Sequence, residues 1–132
     1  MKNLNVPQGY QAVMPYLILP KAAAFIAWAV EVLDASEKTR SYREDGVTLG
    51  HCELMIGDST LMLSEASDQW PANTAGLFVY VANADQAYER ALARGATSLM
   101  EPTDMPYGRA CGVADPFGNV WWPTQANADG SM

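Results

Sequence analysis

Histidine, cysteine and basic residues are scarce in this chain of 132 residues, and each scarcity excludes a class of protein. A single histidine, His51, cannot supply the two imidazoles of a two-histidine, one-carboxylate metal site within one chain. Two cysteines, Cys52 and Cys111, are too few for a disulfide scaffold, and we expect both thiols to be buried. Eight lysines and arginines against 15 acidic residues give a net charge of −7, which argues against binding to nucleic acid or to an anionic membrane.

Long apolar segments are also missing. The longest apolar run covers residues 22–30, far short of the roughly 20 residues that a membrane-spanning helix requires. Residues 1–6 lack the apolar core of a signal peptide, and together with the two free thiols this favours a cytoplasmic protein. With 49% apolar and 17% charged residues, the composition is typical of an ordinary globular domain.

The pattern of the chain occurs twice. A strand-like run before residue 20 is followed by a helical stretch at 21–34, and about 60 residues later the run 76–82 is followed by a helical stretch at 83–94. Cys52 and Cys111 hold the same offset within the two copies. An internal repeat decides the fold before local detail does. The sequence therefore predicts one domain over residues 1–132, built from repeat units at about 12–64 and 76–124.

Each unit follows the order strand, helix and three strands. In the first unit we predict strands at 12–19, 36–44, 47–56 and 60–64, with a turn at Asp45–Gly46. In the second we predict strands at 76–82, 97–100, 109–114 and 120–124, with Asn83 capping the helix and Gly95 ending it. The predicted fold class is α+β, with two βαβββ repeats that form curled mixed sheets. A small molecule would lie in the concavity between the two sheets.

Several motifs resemble the glyoxalase/bleomycin resistance/dioxygenase superfamily, whose fold is called the vicinal oxygen chelate fold. The resemblance covers residues 7–124 and depends on four segments of the sequence: 7–17, 50–59, 107–109 and the turn 115–121 with Asp115-Pro116-Phe117-Gly118. The chain is most similar to the glyoxalase-like branch associated with phosphonate operons and antibiotic resistance. The resemblance implies two facing cup-shaped sheets and a homodimer.

Enzymes of this superfamily hold a divalent metal through residues on the first and last strands of each unit. The matching positions here are about Pro15 (or Met14), Leu63 (or Ser64), Leu77 and Trp122. Zinc, nickel and iron prefer imidazole, carboxylate or thiolate ligands. We therefore predict no metal and no other cofactor, which puts glyoxalase, dioxygenase and thiol-transferase activities in doubt.

Polar candidates for a binding site occur in both units. His51 and Glu53 share one face of a strand, because side chains alternate along it. The alternative is a structural, hydrogen-bonded histidine. Tyr107 and Arg109 lie where the family has its cavity rim, and Arg109 could bind an anionic or carbonyl group of a ligand. A salt bridge is the competing interpretation for Arg109.

Tryptophans are the remaining candidates. Trp121 and Trp122 are neighbours on a strand, so one of them faces the cavity, and we choose Trp121 for the ligand site. Trp70 lies in the linker between the units, where large aromatics often line a binding site or a dimer interface. Trp28 is expected in the core. An acidic site with indole rings would suit a planar or cationic molecule.

Two functions follow from these residues. The first is a metal-free protein that binds a small organic molecule, such as a cationic or aromatic antibiotic, through His51, Glu53, Trp70, Tyr107, Arg109 and Trp121. The second is a lyase, isomerase or dioxygenase-type enzyme of the same superfamily with a rebuilt site. In that case His51 and Glu53 would act as acid and base, with Arg109 as an electrostatic clamp.

Overall fold

The structure is a computed structural model that describes residues 4–130. The chain separates into two compact units: unit 1 contains the residues up to 30 together with 34–73, and unit 2 contains residues 31–33 and those from 74 onward. The helices are α1 (Ala22–Leu33) and α2 (Ala84–Ala93). The strands, in chain order, are β1 (Tyr16–Leu19), β2 (Ser36–Tyr42), β3 (Leu49–Ile56), β4 (Ser59–Glu65), β5 (Gly76–Tyr80), β6 (Thr97–Met105), β7 (Gly108–Ala114) and β8 (Val120–Ala126).

The two units have the same topology. In unit 1 the strand order is β1-β4-β3-β2, and in unit 2 it is β5-β8-β7-β6. The first pair of each sheet is parallel and the other pairs are antiparallel. Parallel pairing needs a long crossover, and α1 or α2 begins each crossover between the parallel strands. The predicted α+β fold with two βαβββ repeats is confirmed.

Each sheet has one core face, which is buried. In unit 1 the core face is formed by Cys52, Leu54, Leu61 and Leu63, none of them more than 5% exposed. In unit 2 it is formed by Cys111, Val113 and Trp121, against which α2 packs. The Cys111 thiol points to the carbonyl oxygen of Ala84 in α2. Side chains at the intervening positions of each strand point to the opposite face.

Asparagine and glycine mark the two ends of α2, as the sequence predicts: Asn83 lies at its start and Gly95 follows its last turn. Asn83 accepts a hydrogen bond from the backbone N–H of Gln86 at 2.9 Å, which caps the start of α2. Gly95 follows the helix with a φ of +93°, a left-handed conformation that glycine adopts without a steric cost. Both predicted ends of α2 are therefore confirmed.

The first strand is shorter than predicted. We expected it to begin at residue 12, but β1 begins at Tyr16. Pro15 has no N–H for a ladder, and the side chain of Gln11 bonds the backbone of Thr60 where a strand would use its main chain. Residues 4–15 consequently form an arm without regular structure. Neither described helix is long and apolar enough to cross a membrane within residues 4–130.

Candidate functional site

The face of the unit 1 sheet opposite its core face carries a series of hydrogen-bonded polar groups. Glu53 lies on β3, and its Oε1 accepts a hydrogen bond from the Tyr10 hydroxyl at 2.5 Å. Its Oε2 lies 2.9 Å from Nε2 of His51. His51 Nδ1 lies 3.2 Å from the hydroxyl of Tyr16 on β1. We call this set, Tyr10, Tyr16, His51 and Glu53, the polar series.

Glu53 is the sheltered member of the polar series, because only 7% of its surface is exposed. The hydrogen bond from Tyr10, followed by the one from His51, lowers the pKa of the Glu53 carboxyl. The same contact with Glu53 raises the pKa of Tyr10. An ionised Glu53 carboxylate can only accept a hydrogen bond, so the contact requires a proton on Nε2 of His51. When the imidazole is neutral, Nδ1 carries no proton and accepts a hydrogen bond from the Tyr16 hydroxyl.

A cavity of about 500 Å³ lies in unit 1 beside Glu53. Tyr10 and Glu53 contribute to its lining, together with residues of the arm and of β4. The lining set is Asn5, Val6, Pro7, Tyr10, Gln11, Ala12, Met14, Glu53 and Met62. A volume of this size matches pockets that hold small organic ligands.

The equivalent face of unit 2 is aromatic. Phe78 and Tyr80 are two residues apart on β5, and their ring centroids are 5.3 Å apart in an edge-on arrangement. The ring of Tyr107 lies 6.1 Å from that of Phe78. Trp122 on β8 is the register partner of Phe78. These four residues, Phe78, Tyr80, Tyr107 and Trp122, form what we call the aromatic face.

The aromatic face remains open to solvent although it is apolar. Phe78 and Tyr80 are each about half exposed and Trp122 is 37% exposed. Gly112 makes room for the indole, because a methyl group at position 112 would lie 2.7 Å from Cε3 of Trp122 and overlap the ring. A glycine thus lets the Trp122 ring lie against β7 while one side of it stays accessible.

Arg109 is held by two carboxylates of its own unit. Its Nε and Nη2 donate to both oxygens of Asp85 at 2.8 and 3.0 Å, and Nη1 donates to Asp104 at 2.9 Å. These contacts raise the pKa of Arg109 and lower that of Asp85. Arg109 and Cys111 are two residues apart on β7, so their side chains point to the same side of the sheet. Arg109 therefore lies on the core-face side of β7, away from the aromatic face. The contacts of Arg109 with Asp85 and Asp104 correspond to the salt bridge that the sequence offered as the alternative to ligand binding.

The remaining predicted tryptophans differ in exposure. Trp121 is 1% exposed, and its indole N–H donates to the Asp115 carboxylate at 2.9 Å, on the core face. Trp122, the alternative to Trp121 that the sequence left open, is the one on the aromatic face. Trp70 is 58% exposed in unit 1, in a turn closed by its hydrogen bonds with Ser67, and it does not line the cavity.

Both cysteines are free and buried, as predicted. Burial raises the pKa of Cys52 and of Cys111 to about 11. At neutral pH both are therefore thiols, a form that is a poor nucleophile and a poor metal ligand.

The positions aligned with the family's metal ligands do not supply a donor set for a divalent metal. Leu63 and Leu77, two of the positions aligned with metal ligands, lie on the core-face side of their sheets, since Leu63 is fully buried and Leu77 pairs with Trp121. The positions that take their place on the open faces are Tyr16, Met62, Ser64, Phe78 and Trp122. Within residues 4–130 no group of three or more His, Cys, Asp and Glu side chains is placed to hold a metal ion.

The paired βαβββ units define a protein of the vicinal oxygen chelate fold. The sequence profile of the Glyoxalase/Bleomycin resistance protein/Dioxygenase superfamily matches residues 12–122, and the chain belongs to this superfamily. A relative in Mycobacterium bovis, the uncharacterized protein Mb0911c, is 33% identical over 122 residues, which cover 83% of this chain and 80% of the relative.

Solved structures share the fold at lower identity. TioX from Micromonospora sp. ML1 superimposes with a TM-score of 0.67 at 22% identity, covering 89% of this chain and 98% of TioX. TnmS3 from Streptomyces sp. CB03234, described as an antibiotic binding protein, superimposes with a TM-score of 0.66 at 19% identity, covering 89% of this chain and 100% of TnmS3.

Sequence reasoning placed His51 and Glu53 together and missed most of their surroundings. Tyr10 and Tyr16 were not assigned to the site, because their proximity to Glu53 and His51 depends on the register between strands and on the path of the arm. Phe78 and Tyr80 could have been found, since two aromatics at i and i+2 on a strand share one face.

Proposed function

We propose that this protein binds a small planar aromatic molecule, and that the aromatic face of unit 2 is the surface that receives it. The carrying observation is the open cluster of Phe78, Tyr80, Tyr107 and Trp122, with Gly112 leaving space for the indole. Aromatic rings bury large apolar areas at little cost in side-chain entropy, and edge-on and stacked pairs add further stabilisation. An antibiotic of this chemistry is the ligand we favour.

Family membership and one structural neighbour support this proposal. TnmS3 is described as an antibiotic binding protein. Its similarity to this chain, at 19% identity, is a similarity of fold. The net charge of −7 favours neutral or cationic ligands over anionic ones. We also keep the expectations of a metal-free homodimer in the cytoplasm as part of the proposal; the two free, buried thiols suit a reducing compartment.

A pair of tryptophan variants tests the proposed site. Trp122→Leu removes an exposed indole from the aromatic face, and Trp70→Leu removes an exposed indole from unit 1. With anthraquinone and acridine dyes as probes, we expect Trp122→Leu to weaken binding by about two- to tenfold, because an aromatic pair contributes about 0.5–1.5 kcal/mol beyond the area that it buries. Trp70→Leu should bind like the wild type. Isothermal titration calorimetry gives the affinities without relying on tryptophan emission.

Two results would contradict the proposal. Equal loss in both variants would mean that neither indole marks a specific site. If Trp122→Leu instead converts a dimer into a monomer in light scattering, while no dye binds the wild type, the aromatic face is a subunit interface rather than a ligand site.

The polar series favours a second candidate function, acid–base catalysis. His51 lies between a sheltered carboxylate and an exposed hydroxyl, at 2.9 Å from Glu53 and 3.2 Å from Tyr16. A histidine oriented by a carboxylate is the usual arrangement for a general base. The candidate substrate would meet the Tyr16 hydroxyl, which is partly exposed.

Elemental analysis and a hydroxyl variant separate the two functions. Stoichiometric nickel, zinc, iron or manganese in purified protein would favour the enzyme. Absence of turnover in a screen of lyase and isomerase substrates, with the same result for wild type and Tyr16→Phe, would favour binding alone.

A further inference from the structure

The arm of residues 4–15 is fastened to the unit 1 sheet by several hydrogen bonds, most of them at Thr60. The carbonyl oxygen of Gly9 accepts hydrogen bonds from Lys38 Nζ at 3.1 Å and from Thr60 Oγ1 at 2.8 Å. Gln11 donates from Nε2 to the Thr60 carbonyl at 2.7 Å and accepts from the Thr60 N–H at 3.2 Å. Thr60 is fully buried, so its own groups in these bonds are shielded from water. The arm is therefore a fixed wall of the cavity beside Glu53.

The cavity combines apolar walls with one carboxylate. Val6, Pro7 and Ala12 contribute apolar surface from the arm, and Met14 and Met62 contribute thioethers. Methionine side chains adapt to guests of different shape. Among the described residues that line this cavity, Glu53 alone bears a charge.

Glu53 has unused capacity as an acceptor. An ionised carboxylate offers about four lone-pair positions, and the structure fills one on Oε1 with Tyr10 and one on Oε2 with His51. The lowered pKa keeps the group ionised at neutral pH. Each oxygen can accept one further hydrogen bond from a guest in the cavity.

Lys38 offsets this charge only in part, since its attraction is the smallest of the causes that lower the pKa of Glu53. Its ammonium is outside the lining set and is engaged by Gly9 and Thr60. It also lies 3.8 Å from the centroid of the Tyr10 ring. Lys38 is an exposed residue, so water screens it, whereas Glu53 is sheltered.

We propose that the cavity beneath the arm is a binding site for an organic cation with N–H donors, such as a primary ammonium or an amidinium on a compact apolar body. The N–H groups bond the free positions of the Glu53 carboxylate, and the apolar body contacts Met14 and Met62. The site shares no residue with the aromatic face. This proposal can therefore be tested independently of the function proposed above.

Two isosteric probes and two glutamate variants test this site. Benzylamine carries an ammonium, and benzyl alcohol is its neutral counterpart. With methyl-13C methionine, we expect benzylamine to shift the Met14 and Met62 methyl signals at millimolar concentrations, while those of Met100 and Met105 in unit 2 stay in place. Glu53→Gln should weaken benzylamine binding roughly tenfold or more, because a hydrogen bond to a charged group is lost. Glu44→Gln, an exposed change of the same charge, should leave it unaltered.

Opposite results would overturn the proposal. These are no shift of Met14 and Met62 with benzylamine, equal affinity for benzyl alcohol, or an unchanged affinity in Glu53→Gln. If Glu53→Gln does not fold, Ala12→Trp fills the cavity from the arm without touching the carboxylate. That variant should abolish benzylamine binding, and retained binding would exclude the cavity as the site.

Discussion

Asp115 holds the last turn of unit 2 together at the scale of a single residue. Its buried carboxylate accepts four hydrogen bonds, from the N–H groups of Phe117 and Asn119, from the Asn119 side chain and from the Trp121 indole. Removing the acceptor leaves buried donors without partners, which costs far more than the loss of an exposed contact. We expect Asp115→Ala to lower the free energy of unfolding by about 3 kcal/mol, measured by urea titration.

A matched turn in unit 1 supplies the control. Asp58 lies in the turn between β3 and β4, the counterpart of the Asp115 turn in the repeat, and is exposed. Asp58→Ala should change stability by no more than about 0.5 kcal/mol. If Asp115→Ala lowered the free energy of unfolding as little as Asp58→Ala, the buried hydrogen bonds of Asp115 would contribute little to stability.

Gly112 decides how the Trp122 indole lies. In Gly112→Ala the new methyl group would overlap the ring, so the indole must move off the strand. Overpacking of this kind costs about 1–3 kcal/mol, and we expect affinity for the planar dyes to fall as well. Gly76→Ala, on β5 with open space around it, should change neither property. Unaltered dye binding in Gly112→Ala would show that ligand affinity does not depend on the position of the Trp122 ring against β7.

Glu53 predicts a pH dependence whose sign follows from its pKa. The folded-state pKa lies below the ordinary value of 4.5, so the folded protein favours the ionised form. That stabilisation is fully present above the unfolded pKa and is lost as the pH falls through the lowered folded pKa. The difference in unfolding free energy between wild type and Glu53→Gln should therefore be constant above about pH 5 and decrease at lower pH. A difference that grows on acidification would contradict the assigned hydrogen bonds.

At the scale of elements, the arm depends on Gln11. Gln11→Ala removes both hydrogen bonds to the Thr60 backbone and leaves buried backbone groups unpaired. We expect faster hydrogen exchange at the Thr60 amide and weaker benzylamine binding, with a loss of stability of about 1–3 kcal/mol. Gln8→Ala, an exposed change in the same arm, is the control. Unchanged exchange at Thr60 would show that other contacts fix the arm.

The arm also marks a limit of sequence-based prediction for elements. The glycine and asparagine ends of α2 were predictable, because left-handed backbone and helix capping demand particular residue types locally. The start of β1 was not, since residues 12–15 have a strand-like pattern but lose their ladder to Pro15 and to the Gln11 side chain. The long-range contact of Gln11 with Thr60 has no local sequence pattern.

At the scale of the whole molecule, the repeat was predictable and its divergence was not. Tyr16 and Met62 are register partners in unit 1, as Phe78 and Trp122 are in unit 2. Glu53 pairs with Met62, and Gly112 underlies Trp122. One topology thus carries a carboxylate with a cavity in unit 1 and an open aromatic face in unit 2. The choice of Trp121 over Trp122 shows why the faces required the structure: alternation gives two possibilities and only the register decides between them.

The size of the units predicts how the whole molecule unfolds. A unit of about 60 to 70 residues buries too little of its surface to be comfortably stable alone, whereas about 130 residues suffice for one domain. We therefore expect a single cooperative transition. With 5-fluorotryptophan, the 19F signals of Trp28 in unit 1 and of Trp121 in unit 2, both buried, should lose intensity at the same urea concentration. Two separate midpoints would mean that each unit is a domain in its own right, and that the stability changes predicted for Asp115 and Gln11 belong to different transitions.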